Sequence, residues 1–287
     1  MRSLLPILTV VAAIVAIWYA AAVWLNSQWT YDQAARAGIE IGFSDVVADA
    51  WVQERPVLPA PHQVAVELYD TVIDKSVTSK RSLVYHGWIT VSATLLGFVF
   101  GTVLGILLAV GIVHNRAMDM SVMPWAIASQ TIPILAIAPM IIVVLNSVGV
   151  QGLVPKAIIS AYLSFFPVVV GMVAGLRSPD AMQLDLMRTY SASRAETFWK
   201  LRLPASMPYL FTSLKVGIAA SLVGAIVGEL PTGAVAGLGA RLLSGSYYGQ
   251  TVQIWAALFA AAAVAAGLVG VIGFLQRVTL RRMGMQS

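Results

Sequence analysis

Side chains that could ligate a metal or act as nucleophile and base together are few in this chain and widely separated. The three histidines, His62, His86 and His114, share no helix face with an acid or with one another, so no metal-ligand spacing is present. There is no cysteine, which removes thiol catalysis, disulfides and thiolate-bound metals or clusters. His-Glu-x-x-His, Gly-x-Ser-x-Gly and paired intramembrane carboxylates do not occur. Gly237-Leu238-Gly239 lacks the Gly-x-x-x-x-Gly-Lys-Ser/Thr spacing of a phosphate loop and lies between apolar stretches, so it reads as part of a mobile outer connector with Gly233, Gly245 and Gly249. What the sequence does offer is polar groups placed to couple, line or gate. They are a charged run from Asp185 to Pro204, a Ser129-Gln130-Thr131 trio, and Lys215 and Glu229 within one long apolar stretch.

These groups must be positioned by elements that live in a bilayer. Of 287 residues, 59% are hydrophobic and 11% charged, far too apolar for an ordinary soluble domain. The net charge of +5 comes from Lys and Arg in short loops and ends, not from a stripe interleaved with aromatics, so topogenic charge explains it better than nucleic acid does. Residues 4–25 form a charge-free run behind Arg2, long enough to span the hydrocarbon. Its length favours a retained anchor over a cleaved signal peptide, and Trp18, Tyr19, Trp24 and Trp29 suit an interfacial belt. Residues 26–87 are hydrophilic and read as an extracytoplasmic linker with one amphipathic helix, running from Pro59-Ala60-Pro61 through Asp74.

The remainder, 88–287, reads as a core of five spans at 88–113, 122–145, 153–176, 209–230 and 252–275. Gly97, Gly101 and Gly105 give the first of these a smooth face for close helix packing. The 122–145 span carries Pro124, Pro133 and Pro139, with Gln130 and Thr131 near its middle. Freed carbonyls are tolerated at that depth only beside protein or a wet cavity, so Gln130, Thr131 and Pro133 are candidates to line a path. Gln130 could instead bond a neighbouring helix. Lys215 reads as a snorkelling residue, and Glu229 as either a solvated interfacial carboxylate or an outer gate.

The charged run cannot enter hydrocarbon, because Asp185, Arg188, Arg194, Glu196, Lys200 and Arg202 would each cost several kcal/mol there. Ser191-Ala192-Ser193 divides it into two short helices, one with Leu184, Met187 and Tyr190 as its greasy edge and one with Phe198, Leu201 and Leu203. Such a hairpin facing water reads as a docking surface, the alternative being a surface hairpin of no special role. With the N-terminus cytoplasmic, six spans bring Arg2, Arg116, the hairpin, Arg277, Arg281 and Arg282 to one side, satisfying the positive-inside rule. Lys75, Lys80 and Arg81 then lie outside in the long region, which weighs little.

The hairpin's spacing resembles the cytoplasmic coupling loop of ATP-binding-cassette (ABC) importer permeases, whose pattern is Glu-Ala-Ala, three residues, Gly, nine residues, Ile, one residue, Leu-Pro. Here Asp185-Leu186-Met187, Ser191, Leu201 and Leu203-Pro204 occupy those places, so the acid is kept and the Gly and both Ala are not. Ser tolerates positive φ less readily than Gly. The Leu58-Pro59-x-Pro61-x-x-Val64 entry is similar to that of the nitrate, sulfonate and taurine subgroup. Gly175-Leu176-Arg177-Ser178, Pro208-Tyr209, Gly228-Glu229 and Gly237-Leu238-Gly239 extend the likeness from about residue 59 to the end.

The resemblance implies an all-α membrane protein of MetI-like permease fold, with about six transmembrane helices and a coupling loop over 177–206. It implies a location in the bacterial cytoplasmic (inner) membrane, a pore formed with a second permease copy, two copies of a separate ATPase, and an extracytoplasmic substrate-binding protein. No cofactor is expected on this chain, because ATP would be bound by the partner. Asp185, Arg188, Tyr190, Ser191, Ala192, Ser193, Leu203 and Pro204 would couple to the ATPase. Substrates of the subgroup are small anions, sulfonates and heterocyclic vitamin precursors. Two other classes stay open: an ion-coupled secondary transporter, for which only Lys215 and Glu229 could carry the ion, and a membrane-embedded enzyme, for which no constellation is visible.

Overall fold

A computed structural model describes residues 4–231 and 236–285, which leaves Arg2 and Gly233 outside the described residues. The chain forms two compact units, one of Met1–Gly87 with Ala240–Ala261 and one of Trp88–Gly239 with Ala262–Ser287. The 88–287 stretch expected as a single core therefore contributes part of its C-terminal third to the first unit.

In the first unit, helix α1 runs unbroken from Leu4 to Ala37, well past the expected end at residue 25. Residues 26–37 contain no Pro or Gly to stop it, and it ends at Gly38, whose φ is +67°. Asn26 is thus a position inside a helix, and it is completely buried. Its amide donates to the Ala50 and Leu58 carbonyls at 3.1 and 2.9 Å and accepts from the Val57 and Leu58 amides at 2.8 and 3.1 Å, pinning the polar segment against α1. Helix α2 (Phe43–Ala50) and helix α3 (Pro61–Tyr69), which continues as a wider π turn over Asp70–Asp74, complete that segment. Trp18 stacks on Phe259 at 5.8 Å and donates to the Pro59 carbonyl at 2.9 Å, so it packs against other parts of this unit. His62 stacks on Tyr19.

The second unit is built on helix α7 (Leu153–Leu176), which lies between α4 (Leu83–His114) and α10 (Leu203–Glu229). Glycines make these approaches possible. A side chain at Gly97 or Gly101 would overlap Ser160 or Ser164 of α7, and one at Gly105 would come within 2.9 Å of Val168. On the other face, Gly171 and Gly175 of α7 admit Ser213 and Ser206 of α10, while Gly224 of α10 admits Ser160. Where lipid tails are as apolar as leucine, such backbone-to-backbone fit is the source of helix affinity. Ala109, Ile112, Val168, Val169, Met172 and Leu176 form the resulting core.

The expected third span is not one helix. It is α5 (Arg116–Ser129) and α6 (Ile134–Ser147), related by a bend of 98°. Pro133 caps the second helix and pushes the preceding residue away from helical geometry, whereas Pro124 and Pro139 sit inside their helices without ending them. The second unit also contains the short helices α8 (Ala181–Thr189) and α9 (Arg194–Thr197). Helices α11 (Leu238–Tyr247) and α12 (Thr251–Arg282) complete the chain. Among the described residues five helices are long and apolar enough to cross a membrane, and the bent pair makes six.

The α4–α7 fit gives a direct test. An alanine at Gly101 meets the Ala161 carbonyl at 2.9 Å and the Phe165 amide at 3.1 Å as well as Ser164, whereas one at Gly87 meets nothing. Gly101→Ala should cost about 2 kcal/mol of stability, while Gly87→Ala should leave it close to wild type, as read by thermal denaturation in detergent.

Candidate functional site

The hairpin is held by reciprocal caps at both bends. Asp180 caps α8 by accepting from the Gln183 amide at 2.7 Å. At the other end of α8, the Ser191 amide bonds the Arg188 carbonyl at 2.8 Å and the Ala192 amide bonds the Met187 carbonyl at 3.0 Å, which is the paired ladder of a Schellman turn. That turn demands a left-handed residue, and Ser191 supplies it with φ of +53°, the one non-glycine positive φ among the described residues. The serine in the glycine place of the resembling pattern therefore keeps the glycine conformation, at a cost of about 1 kcal/mol. Ser193 then starts α9 with a capping box. Its hydroxyl accepts from the Glu196 amide at 3.2 Å, its own amide donates to Glu196 at 2.9 Å, and Lys200 pairs with the same carboxylate at 3.1 Å.

The two halves of the hairpin have different fates. Phe198 and Leu203 pack on the α7 core, and Arg202 donates to the Leu176 carbonyl at 2.9 Å, so the second half is anchored. No residue of α8 is buried. Its exposed apolar stripe is Met182, Leu186 and Tyr190, four residues apart, with exposures of 81%, 56% and 77%. This corrects the edge expected from periodicity: Leu184 and Met187 turn inward, and Leu184 lines a hollow with His114, Arg188, Ala192, Arg194 and Arg202. Asp185 and Arg188 pair with each other at 2.8 Å on the exposed surface, and Pro204 sits in the first turn of α10, directly after a π turn over Phe198–Arg202 that joins α9 to it.

At the break between α5 and α6, Thr131 and Pro133 are exposed and Gln130 is half-buried. The Gln130 side chain bonds Ser129 at 3.2 Å, its immediate neighbour and not a distant helix. The Ser129 carbonyl is taken by the Tyr162 hydroxyl of α7. Ser129, Tyr162, Trp125 and Phe165 also face a cavity of about 470 Å³. Neither Tyr162 nor Trp125 carries a sequence signal that separates it from any other membrane aromatic.

Glu229 is completely buried, which overturns the solvated interfacial alternative. The Thr90 hydroxyl of α4 lies 3.0 and 3.1 Å from its two oxygens, the Gly239 amide donates at 2.8 Å, and Lys156 of α7 stands 3.8 Å away. Lys156 also donates to the Ala236 carbonyl at 3.3 Å, and the Leu238 amide donates back to Thr90 at 2.9 Å. A side chain at Gly237, whose φ is +132°, would overlap the carboxylate, and one at Gly239 would meet the Ile226 carbonyl. The Gly-Leu-Gly end of the connector is therefore clamped, contrary to the mobile reading, and its glycines serve close approach to an acid. The sequence shows Glu229 and the glycines but not Thr90 or Lys156, which are distant along the chain and brought to them by the packing of α4 and α7.

A helical unit with a sharply bent pair of apolar helices, a buried carboxylate clamped by three elements and an exposed polar hairpin with an apolar stripe is what the described residues present. Residues 101–285 match the binding-protein-dependent transport system inner membrane component family, and the chain belongs to it. It is an ABC-transporter permease. The formylaminopyrimidine transport permease protein ThiX of Halalkalibacterium halodurans is 30% identical over 183 residues, covering 64% of this chain and 68% of that protein. The riboflavin transport system permease protein RibX of Chloroflexus aurantiacus is 29% identical, covering 78% and 80% respectively. A putative aliphatic sulfonates transport permease protein of Bacillus subtilis is 23% identical over 84% of this chain and 83% of its own length. Membership in this family implies an ATPase and a binding protein as partners.

Two outcomes follow from these geometries. Ser191→Gly should relieve the turn and slow hydrogen exchange at the Ala192 amide by about fivefold, whereas a β-branched Ser191→Val should accelerate it. Lys156→Met should cost about 3 kcal/mol by stranding a buried carboxylate, and combining it with Glu229→Gln should recover most of that loss in a thermal double-mutant cycle.

Proposed function

We propose that this permease works as a homodimer in a bacterial cytoplasmic membrane, with both termini cytoplasmic, importing a small planar heterocycle delivered by an extracytoplasmic binding protein. Two ATPase copies drive it, one on each α8–α9 hairpin. The observation that carries this reading is the exposed Met182-Leu186-Tyr190 stripe on a hairpin whose bends are fixed by a Schellman turn and a capping box. An apolar face held rigidly in water supports docking into a cleft of the ATPase, with Asp185, Arg188, Tyr190, Ser191, Ala192 and Ser193 at the contact and Leu203-Pro204 linking it to α10.

The path for substrate runs beside Gln130, Thr131 and Pro133 at the break between α5 and α6. Trp125, Tyr162 and Phe165 nearby supply aromatic faces, which favour a stacked heterocycle over a small inorganic anion. The names of the formylaminopyrimidine and riboflavin relatives agree with that chemistry. Glu229 acts as a gate latch: releasing its bonds to Gly239 and Thr90 would free the glycine-bearing connector to move with the transport cycle. The positive-inside distribution of Arg116, Arg277, Arg281 and Arg282 supports the orientation.

The test is reconstitution with the ATPase and binding protein, screening pyrimidines, flavins, sulfonates and nitrate for ligand-stimulated ATP hydrolysis. Heterocycles alone should stimulate; stimulation only by nitrate or sulfonate would overturn the substrate assignment. Ala192→Asp should weaken ATPase co-purification by at least about tenfold while membrane insertion is kept. Because the chain has no cysteine, single cysteines at Gln130 and Thr131 should label with an aqueous thiol reagent at rates that change with ATP state. Uniform protection would remove them from the path.

A further inference from the structure

Lys215 is half-buried in the apolar helix α10, and no carboxylate among the described residues lies within ion-pair distance of it. Its stem reaches toward α12, where Cε would lie 3.6 Å and Nζ 3.9 Å from a side chain built at Gly273. Arg277, one turn further along α12, donates to the Gly273 carbonyl at 3.4 Å and is otherwise exposed. Lys215, Gln276 and Arg277 share a cavity of about 480 Å³ with Val269, Gly270 and Gly273. The glycines here differ from those of α4 and α7. A side chain at Gly267 or Gly270 would meet nothing, so these positions leave a groove open instead of admitting a neighbouring helix of this chain.

We propose that this groove holds the phosphate of an anionic phospholipid, with Lys215 and Arg277 on its oxygens, Gln276 at the rim and an acyl chain over Val269 and Gly270. An intramembrane cation without an acid needs an anionic partner or a route to one. A guanidinium fork and an ammonium set around one hollow match a phosphate's several acceptor oxygens. Beside the charges the lining is Val269 and two glycines, which a free phosphate would leave unused and a lipid tail would cover. Basic pockets between membrane helices take lipid headgroups for these reasons.

The experiment is native mass spectrometry of the full-length permease in detergent, offered phosphatidylglycerol, phosphatidylcholine or inorganic phosphate. Wild type should retain phosphatidylglycerol over phosphatidylcholine by about tenfold, and Lys215→Ala with Arg277→Ala should abolish that preference. Arg281→Ala with Arg282→Ala removes the same charge outside the groove and should preserve it. Gly270→Leu, which fills the groove and leaves both cations in place, should also lose the lipid, and it keeps the test valid if the double charge variant fails to fold. Unchanged phosphatidylglycerol retention in the charge variant and in Gly270→Leu would overturn the proposal. So would displacement of the lipid by millimolar inorganic phosphate, which would assign the site to a soluble anion. A shift in dimer content with Gly270→Leu at unaltered lipid retention would give the groove to a second copy and equally refute it. None of these readouts depends on the transported substrate.

Discussion

The closeness of α7 to its two neighbours is the constraint on which the second unit depends. Inside a bilayer the hydrophobic effect gives helices no reason to prefer one another to lipid, so association rests on van der Waals contact and polar bonds. Glycines on α4, α7 and α10 let backbones touch, and serines fill the opposing positions: Ser160 and Ser164 on α7, Ser206 and Ser213 on α10. The Ser164 hydroxyl spans from α7 to the Gly97 carbonyl of α4, and that of Ser221 on α10 donates to the Thr94 carbonyl. Close packing thereby brings polar groups within bonding range where no water could serve them.

The same packing makes the Glu229 site possible. A carboxylate sealed from solvent is tolerated only when its oxygens are satisfied and a countercharge is near. Thr90 from α4, Lys156 from α7 and the Gly239 amide meet that requirement, and each comes from a different stretch of chain. The site therefore ties the glycine-bearing connector to the helix bundle. At the opposite end of α10 the hairpin is fixed by its own local bonds and by Arg202 reaching the end of α7. Helix α10 thus runs from the anchored half of the hairpin to the clamped acid.

Much of this was legible in the sequence. The membrane class follows from composition, the helical hairpin from its charges, and the family from the spacing of Leu203-Pro204, Gly228-Glu229 and the residues of the coupling loop. These features are local: hydropathy, capping chemistry and short motifs act within a few residues, so the chain reports them directly. Glycines at every fourth position of α4 likewise announced a packing face, because helical periodicity alone places them together.

Other features were decided only in three dimensions. Helix α1 continues to Ala37 because the buried Asn26 is satisfied by Ala50, Val57 and Leu58, and composition made that asparagine look like the start of a linker. The third span breaks at Pro133 but not at Pro124 or Pro139, since whether a proline ends a helix depends on what satisfies the freed groups around it. Which apolar edge of α8 faces outward, and which acid partners Lys156, are matters of neighbours far along the chain. A sequence fixes what each segment can bury, but the choice among partners is made when the helices meet, because burial and electrostatic pairing are properties of the assembled packing and not of any one segment.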